Sequence, residues 1–206
     1  MTIIGAGSGS DPAVDTILSG GNTSRVLTIL LATVTMQDLT VTGGKGADRC
    51  GGIEVVLNAT LNLERVEVVG NTSDVSGTGP NSGGGLNVFA GSTAVVKASR
   101  FANNTTQGGA SAVGGGIFNG GTLTLESTRI EGNRARGGGG IFNSRNARLT
   151  LNQGAAITLN TATDPTPSGG GIYNIGTIVD NDPASNVSGN IPDNCISEAP
   201  GTGCPA

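Results

Sequence analysis

Side chains able to do chemistry are few in this chain and widely spaced. Histidine is absent, which removes the usual acid/base of neutral pH and the commonest metal ligand. The acidic pairs that could form a site are Asp11 and Asp15 in "DPAVD" and Asp180 and Asp182 in "VDNDPASN". Glycoside hydrolysis needs two carboxyl groups flanking one bond, and calcium takes six or more oxygen ligands. Both acidic stretches also contain Asp-Pro, which reads as a turn. Two acids and an Asn around Asp180 make a thin calcium set, so no metal and no cofactor is assigned.

Rings offer a second kind of chemistry. The chain has no Trp, one Tyr and four Phe, yet Phe118, Phe142 and Tyr173 each follow an Ile in a repeated Gly-rich element. If Ile117, Ile141 and Ile172 point inward, strand alternation turns the three rings outward in one line, a strip for a sugar or a protein. In the other reading, a corner beside the triple Gly reverses the facing, or a long loop covers the rings. "TATDPTPS", residues 161–168, is long enough to fold across them. Cys195 and Cys204 enclose "ISEAPGTG", while Cys50 stands alone before a Gly-Gly corner. The pair reads as a disulfide of an exported protein or as part of a metal site with no third ligand at hand.

The elements that must carry these residues follow from a repeat. A Gly-Gly-Ile/Leu element recurs at Ile53, Leu86, Ile117, Ile141 and Ile172, and an apolar-x-x-Asn element ends at Asn71, Asn104, Asn133, Asn160 and Asn190. From one to the other is 18, 18, 16, 19 and 18 positions. Between them apolar residues alternate, as in Leu61, Leu63, Val66 and Val68, which is strand periodicity. Such a coil buries its narrow apolar face only by stacking on the next one. The pattern predicts an all-β, right-handed, single-stranded parallel β-helix of about seven coils. Residues 1–23 form an N-terminal end coil, 24–190 the repeats and 191–206 a tail or cap. The five Asn should stand in one file and ladder their amides. Glu64, Lys97 and Glu126, with Glu67, Arg100 and Arg129, put opposite charges on neighbouring rungs in three of four steps, which pins the register. Thr33, Thr60, Thr93 and Thr122 form a further file that ordinary strand propensity explains.

Composition narrows the partners. The 206 residues carry 37 Gly, a net charge of −4 and 13% charged residues, so there is neither a basic stripe for nucleic acid nor a polybasic membrane anchor. No apolar run is long enough to insert in a membrane as a helix. Met1 runs straight into "TIIGAG", as in a mature piece or an excised fragment.

The alternation of "GG(G/A)(I/L)" with "FxxN", matched literally at Phe101–Asn104, resembles the repeat of the chlamydial polymorphic outer membrane proteins and related bacterial β-helix surface proteins. The likeness covers about residues 24–190. It implies a secreted or surface-displayed bacterial segment, adhesive rather than catalytic, meeting a host or cell-surface protein or glycan. A polysaccharide lyase or glycoside hydrolase on the same scaffold is the alternative.

Overall fold

The computed structural model describes residues 1–206 except 48, 76–82, 165–167, 199–203 and 206. The described residues form 24 strands and no helix, in three parallel sheets of 12, 7 and 5 strands. The chain is an all-β parallel solenoid of about six turns. A typical turn places Ile117–Asn119 in the seven-stranded middle sheet, Thr122–Glu126 and Arg129–Glu131 in the twelve-stranded long sheet, and Arg134–Ala135 in the five-stranded short sheet. The repeat count led to about seven coils. The N-terminal segment falls short of a full turn because its two strands, Thr2–Ile4 and Ile17–Ser19, both pair with Thr33–Thr42 in the long sheet.

Register follows the repeat rung by rung. Ile53, Leu86, Ile117, Ile141 and Ile172 pair in succession, and all are fully buried. Leu61, Ala94, Leu123 and Leu149 form one inward rank of the long sheet, with Leu63, Val96, Leu125 and Leu151 beside it. These aliphatic ranks fill the interior, and Phe101 is the one ring in it. Removing some 25 cal/mol of transfer cost per Å² of apolar surface, rank upon rank, is what holds coils that make few contacts within themselves.

The long sheet bends once in each turn, within the continuous strands Thr33–Thr42 and Thr60–Val69 and between the two strands of the later turns. Asp38, Arg65, Ala98, Ser127 and Gln153 occupy that bend with φ of 52, 52, 46, 47 and 52°. Left-handed backbone at a non-glycine residue costs about 1–2 kcal/mol, so the stacked rungs on either side must enforce it. They do so through inter-coil bonds such as Ala98 N–H to the Glu126 carbonyl at 2.9 Å.

The five Asn stand in one buried file. The backbone N–H and the side-chain amide of Asn104 both donate to Asn133 Oδ1, at 2.9 and 3.0 Å. Asn71 donates in the same way to Asn104, Asn133 to Asn160 and Asn160 to Asn190. Each amide also reaches a carbonyl of the preceding coil, as Asn133 Nδ2 does to Phe101 at 3.0 Å. Gly44 occupies the equivalent place one coil earlier and donates its N–H to Asn71 Oδ1 at 2.9 Å.

Candidate functional site

The two outer faces are built differently. Along the middle sheet the outward file reads Thr28, Glu54, Asn87, Phe118, Phe142, Tyr173 and Ile196. The rings do point away from the aliphatic core, in line, one per rung. Phe118 and Phe142 stack with centroids 5.7 Å apart and planes 7° apart, and Phe142 meets Tyr173 edge-on at 5.2 Å. They are not an open strip, however. Phe118 and Phe142 are each 6% exposed and form a second apolar cluster with Val113.

The cover over these rings is the Gly-rich corner chain itself. Val113 and Gly137 pair as a parallel bridge, with Gly114 N–H on the Gly137 carbonyl at 2.9 Å. Glycine at 137 lets this chain lie close, since a Cβ there would come within 3.3 Å of Tyr173 Cδ1. Residues 165–167 of the "TATDPTPS" segment lie outside the described residues. Tyr173 is the half-open end of the column. Its hydroxyl donates to Glu198 at 2.6 Å, and burial, followed by that carboxylate, pushes its pKa up to about 12.

The polar end of the same face is also shut. Glu54 is 3% exposed and pairs with Arg25 and Arg49, while the Arg49 guanidinium lies 5.5 Å from the Phe89 ring centre. Cys50 is buried there, and burial first of all drives its thiol pKa up to about 12. Cys195 and Cys204 are bonded, with Cα atoms 5.7 Å apart.

The four acids serve backbone turns. Asp11 Oδ1 accepts from Ala13 N–H, and Asp15 Oδ2 accepts from Asp11 N–H. Asp182 accepts from Ala184 and Gly154, and Asp180 accepts from Asp182. Among the described residues no three His, Cys, Asp or Glu side chains gather as a metal set.

On the long sheet, by contrast, no outward residue from Thr60 to Glu64, Thr93 to Lys97, Thr122 to Glu126 or Arg148 to Asn152 is buried. At the bend this face turns concave, leaving a groove of about 520 Å³. Asp38, Arg65, Glu67, Arg100, Ser127 and Arg129 line it, and Gly7 and Ser8 close one end. Arg65 pairs with Asp38 at 2.7 Å and holds that carboxyl below its usual range; it also bonds Glu64. Arg100 bonds Glu131 at 2.6 Å and lies 3.5 Å from Glu67. Lys97 pairs with Glu126 at 3.0 Å rather than with Glu64. Arg129 forms no ion pair among the described residues.

Two features escaped the sequence reading. The groove is one. The other is a second amide file, in which Asn119 donates to Asn143 at 2.8 Å and Asn143 to Asn174 at 2.7 Å. Its signal was the Asn that closes each "IFN" and "IYN".

Comparisons with protein-family models, with curated proteins and with solved structures find no match to this chain. The likeness to the polymorphic outer membrane protein repeat therefore rests on the two motifs.

Proposed function

We propose that the chain is a non-catalytic display rod of a secreted or cell-surface protein, presenting the outer face of its long sheet for adhesion to a cell-surface protein or glycan. One observation carries this reading. The Ile file and the Asn file, which the repeat keeps, are inside and fully engaged, whereas on the outward side only Thr33, Thr60, Thr93 and Thr122 recur, and the neighbouring rank Thr35, Asn62, Val95, Thr124, Thr150 and Val179 varies along the rod and stays partly exposed. A rigid array with a variable outer surface is the physical form of a display scaffold. The Cys195–Cys204 disulfide fits an oxidising compartment outside the cytoplasm.

The test is retention of the immobilised chain on a panel of cell-surface glycans and proteins, repeated with the double variant Val95→Arg/Thr124→Arg. Retention by at least one ligand class, lost in the variant, supports the reading. Release of reducing or unsaturated ends from acidic polysaccharides, with or without calcium, would replace it with the enzyme alternative.

A further inference from the structure

Charge is segregated along this rod. Residues 129–148 hold Arg129, Arg134, Arg136, Arg145 and Arg148 against the single acid Glu131, a net charge of +4 in a chain whose total is −4. The rest of the sequence therefore sums to −8, and no Lys or Arg follows Arg148. In the earlier coils Arg25, Arg49, Arg65, Lys97 and Arg100 are held in ion pairs. Among the described residues Arg129, Arg134, Arg145 and Arg148 are not. One turn here takes 27 residues, from Arg129 to its register partner Ala156, so these residues cover about three quarters of one turn and the excess forms a positive belt around most of the shaft at one level. Such a belt raises the local concentration of anions.

Two of these four guanidinium groups line a concavity: Arg134 a hollow of about 440 Å³ with no carboxylate in its lining, and Arg129 a groove of about 520 Å³ that also holds Asp38 and Glu67. Arg129 lies in the groove at the bend of the long sheet, beside Arg100, its register partner. On its other side the next rung presents Ala156, which leaves room. Arg100 is already held by Glu67 and Glu131, so Arg129 is the arginine of the groove with no ion-pair partner among the described residues. The guanidinium fork suits carboxylate and sulfate.

The geometry points to this groove as a binding site for an acidic polysaccharide, with a carboxylate or sulfate group on Arg129. The polysaccharide is preferred over an acidic polypeptide because of the groove's other charges. Asp38 and Glu67 line it alongside the arginines, and their carboxylates can accept hydrogen bonds from sugar hydroxyls, donors that poly-acidic side chains do not offer. The groove volume also lies in the range of small-ligand sites. This inference rests on the display reading and gives its ligand a chemical class.

The experiment measures binding of the intact chain to immobilised heparin and to polygalacturonate at several salt concentrations, with poly-glutamate as the polypeptide arm. Binding to one of the polysaccharides that weakens with salt, and falls about tenfold in Arg129→Gln, the equivalent of one lost charge-assisted pair, is the expected result. Arg148→Gln, an unpaired arginine of the same belt outside the groove, should lose less than threefold. Equal losses in the two variants would overturn the groove assignment, as would the absence of binding by the unsubstituted chain. Poly-glutamate held as strongly as the polysaccharides would overturn the ligand class. Matching thermal unfolding of both variants and the unsubstituted chain establishes that lost binding is not lost folding. If the glycan and protein panel still retains the chain while no acidic polysaccharide does, this inference fails and the display reading stands.

Discussion

The outer faces of the long and middle sheets start from the same strand alternation and end in opposite environments. On the long sheet the outward ranks of Thr, Asn, Val and charged residues meet solvent, and a bend makes them concave. On the middle sheet the outward file becomes a second interior, with Glu54 at one end and stacked Phe118 and Phe142 further along. The difference comes from the corners. Triple-Gly corners such as 114–116 bring the chain back over the middle sheet, whereas among the described residues the long sheet is crossed at its N-terminal end, where the Gly9 carbonyl accepts from the buried Thr40 hydroxyl at 2.7 Å, and stays open along the later rungs. In a solenoid, then, an outward-pointing residue is exposed only where no corner returns across it, and display falls to the face with tight bends.

The sharpest way to break this comparison is to remove what both faces share. Asn133→Ala takes away the acceptor of Asn104 N–H and Nδ2 and the donor to Asn160 and Phe101. Orphaned buried donors cost about 1–3 kcal/mol each. A loss of about 3–5 kcal/mol, read from chemical denaturation, is expected. Phe142→Ala comes next. If the middle-sheet face is an interior, truncating a ring there costs about 3 kcal/mol, whereas Thr124→Ala on the long sheet stays within about 0.5 kcal/mol. Equal small effects would remove the distinction.

The polar end of the covered face is tested by alkali. The Cys50 thiol is pushed from its ordinary 9.0 to about 12 in the fold by burial. The unfolded chain then releases this proton first as pH rises. Its stabilisation is full below pH 9 and is lost on the way up to about 12. By pH 10 the loss is on the order of 1 kcal/mol. Melting of Cys50→Ala should fall less steeply between pH 8 and 10 than that of the unsubstituted chain.

The smallest effect lies at a corner. The residue before each file Asn has positive φ, and Gly70, Asn103, Gly132 and Gly189 suit that conformation, while Leu159 adopts it at 58° and is 68% exposed. Leu159→Asn should raise stability by about 1 kcal/mol, measured as a higher denaturation midpoint.

Much of this was legible in the chain because one coil equals one repeat. Spacing alone placed the Ile and Asn files, and alternation placed Val66 and Val68 inward. The outward facing of the three rings was legible for the same reason, but their cover was not, because it depends on where Gly114 and Gly137 send the chain. The groove left no signal either, since its bend uses Asp38, Arg65, Ala98, Ser127 and Gln153, residues with no common turn chemistry. In the sequence Arg129 is one member of a charged rank, and only the fold, which places Glu131 on Arg100, leaves it without an ion pair among the described residues.

The four phenylalanines give the most direct test of the two faces. Hydroxyl-radical footprinting with mass spectrometry ranks side chains by contact with water, and Phe101, fully buried in the aliphatic core, serves as the internal standard. Phe118 and Phe142 should be oxidised nearly as slowly as Phe101, and more slowly than the partly exposed Phe89 and the outward Val95 and Val179. Oxidation of Phe118 and Phe142 at the rate of Phe89 or faster would show an open ring strip on the middle sheet and contradict the division between a covered face and a displayed one.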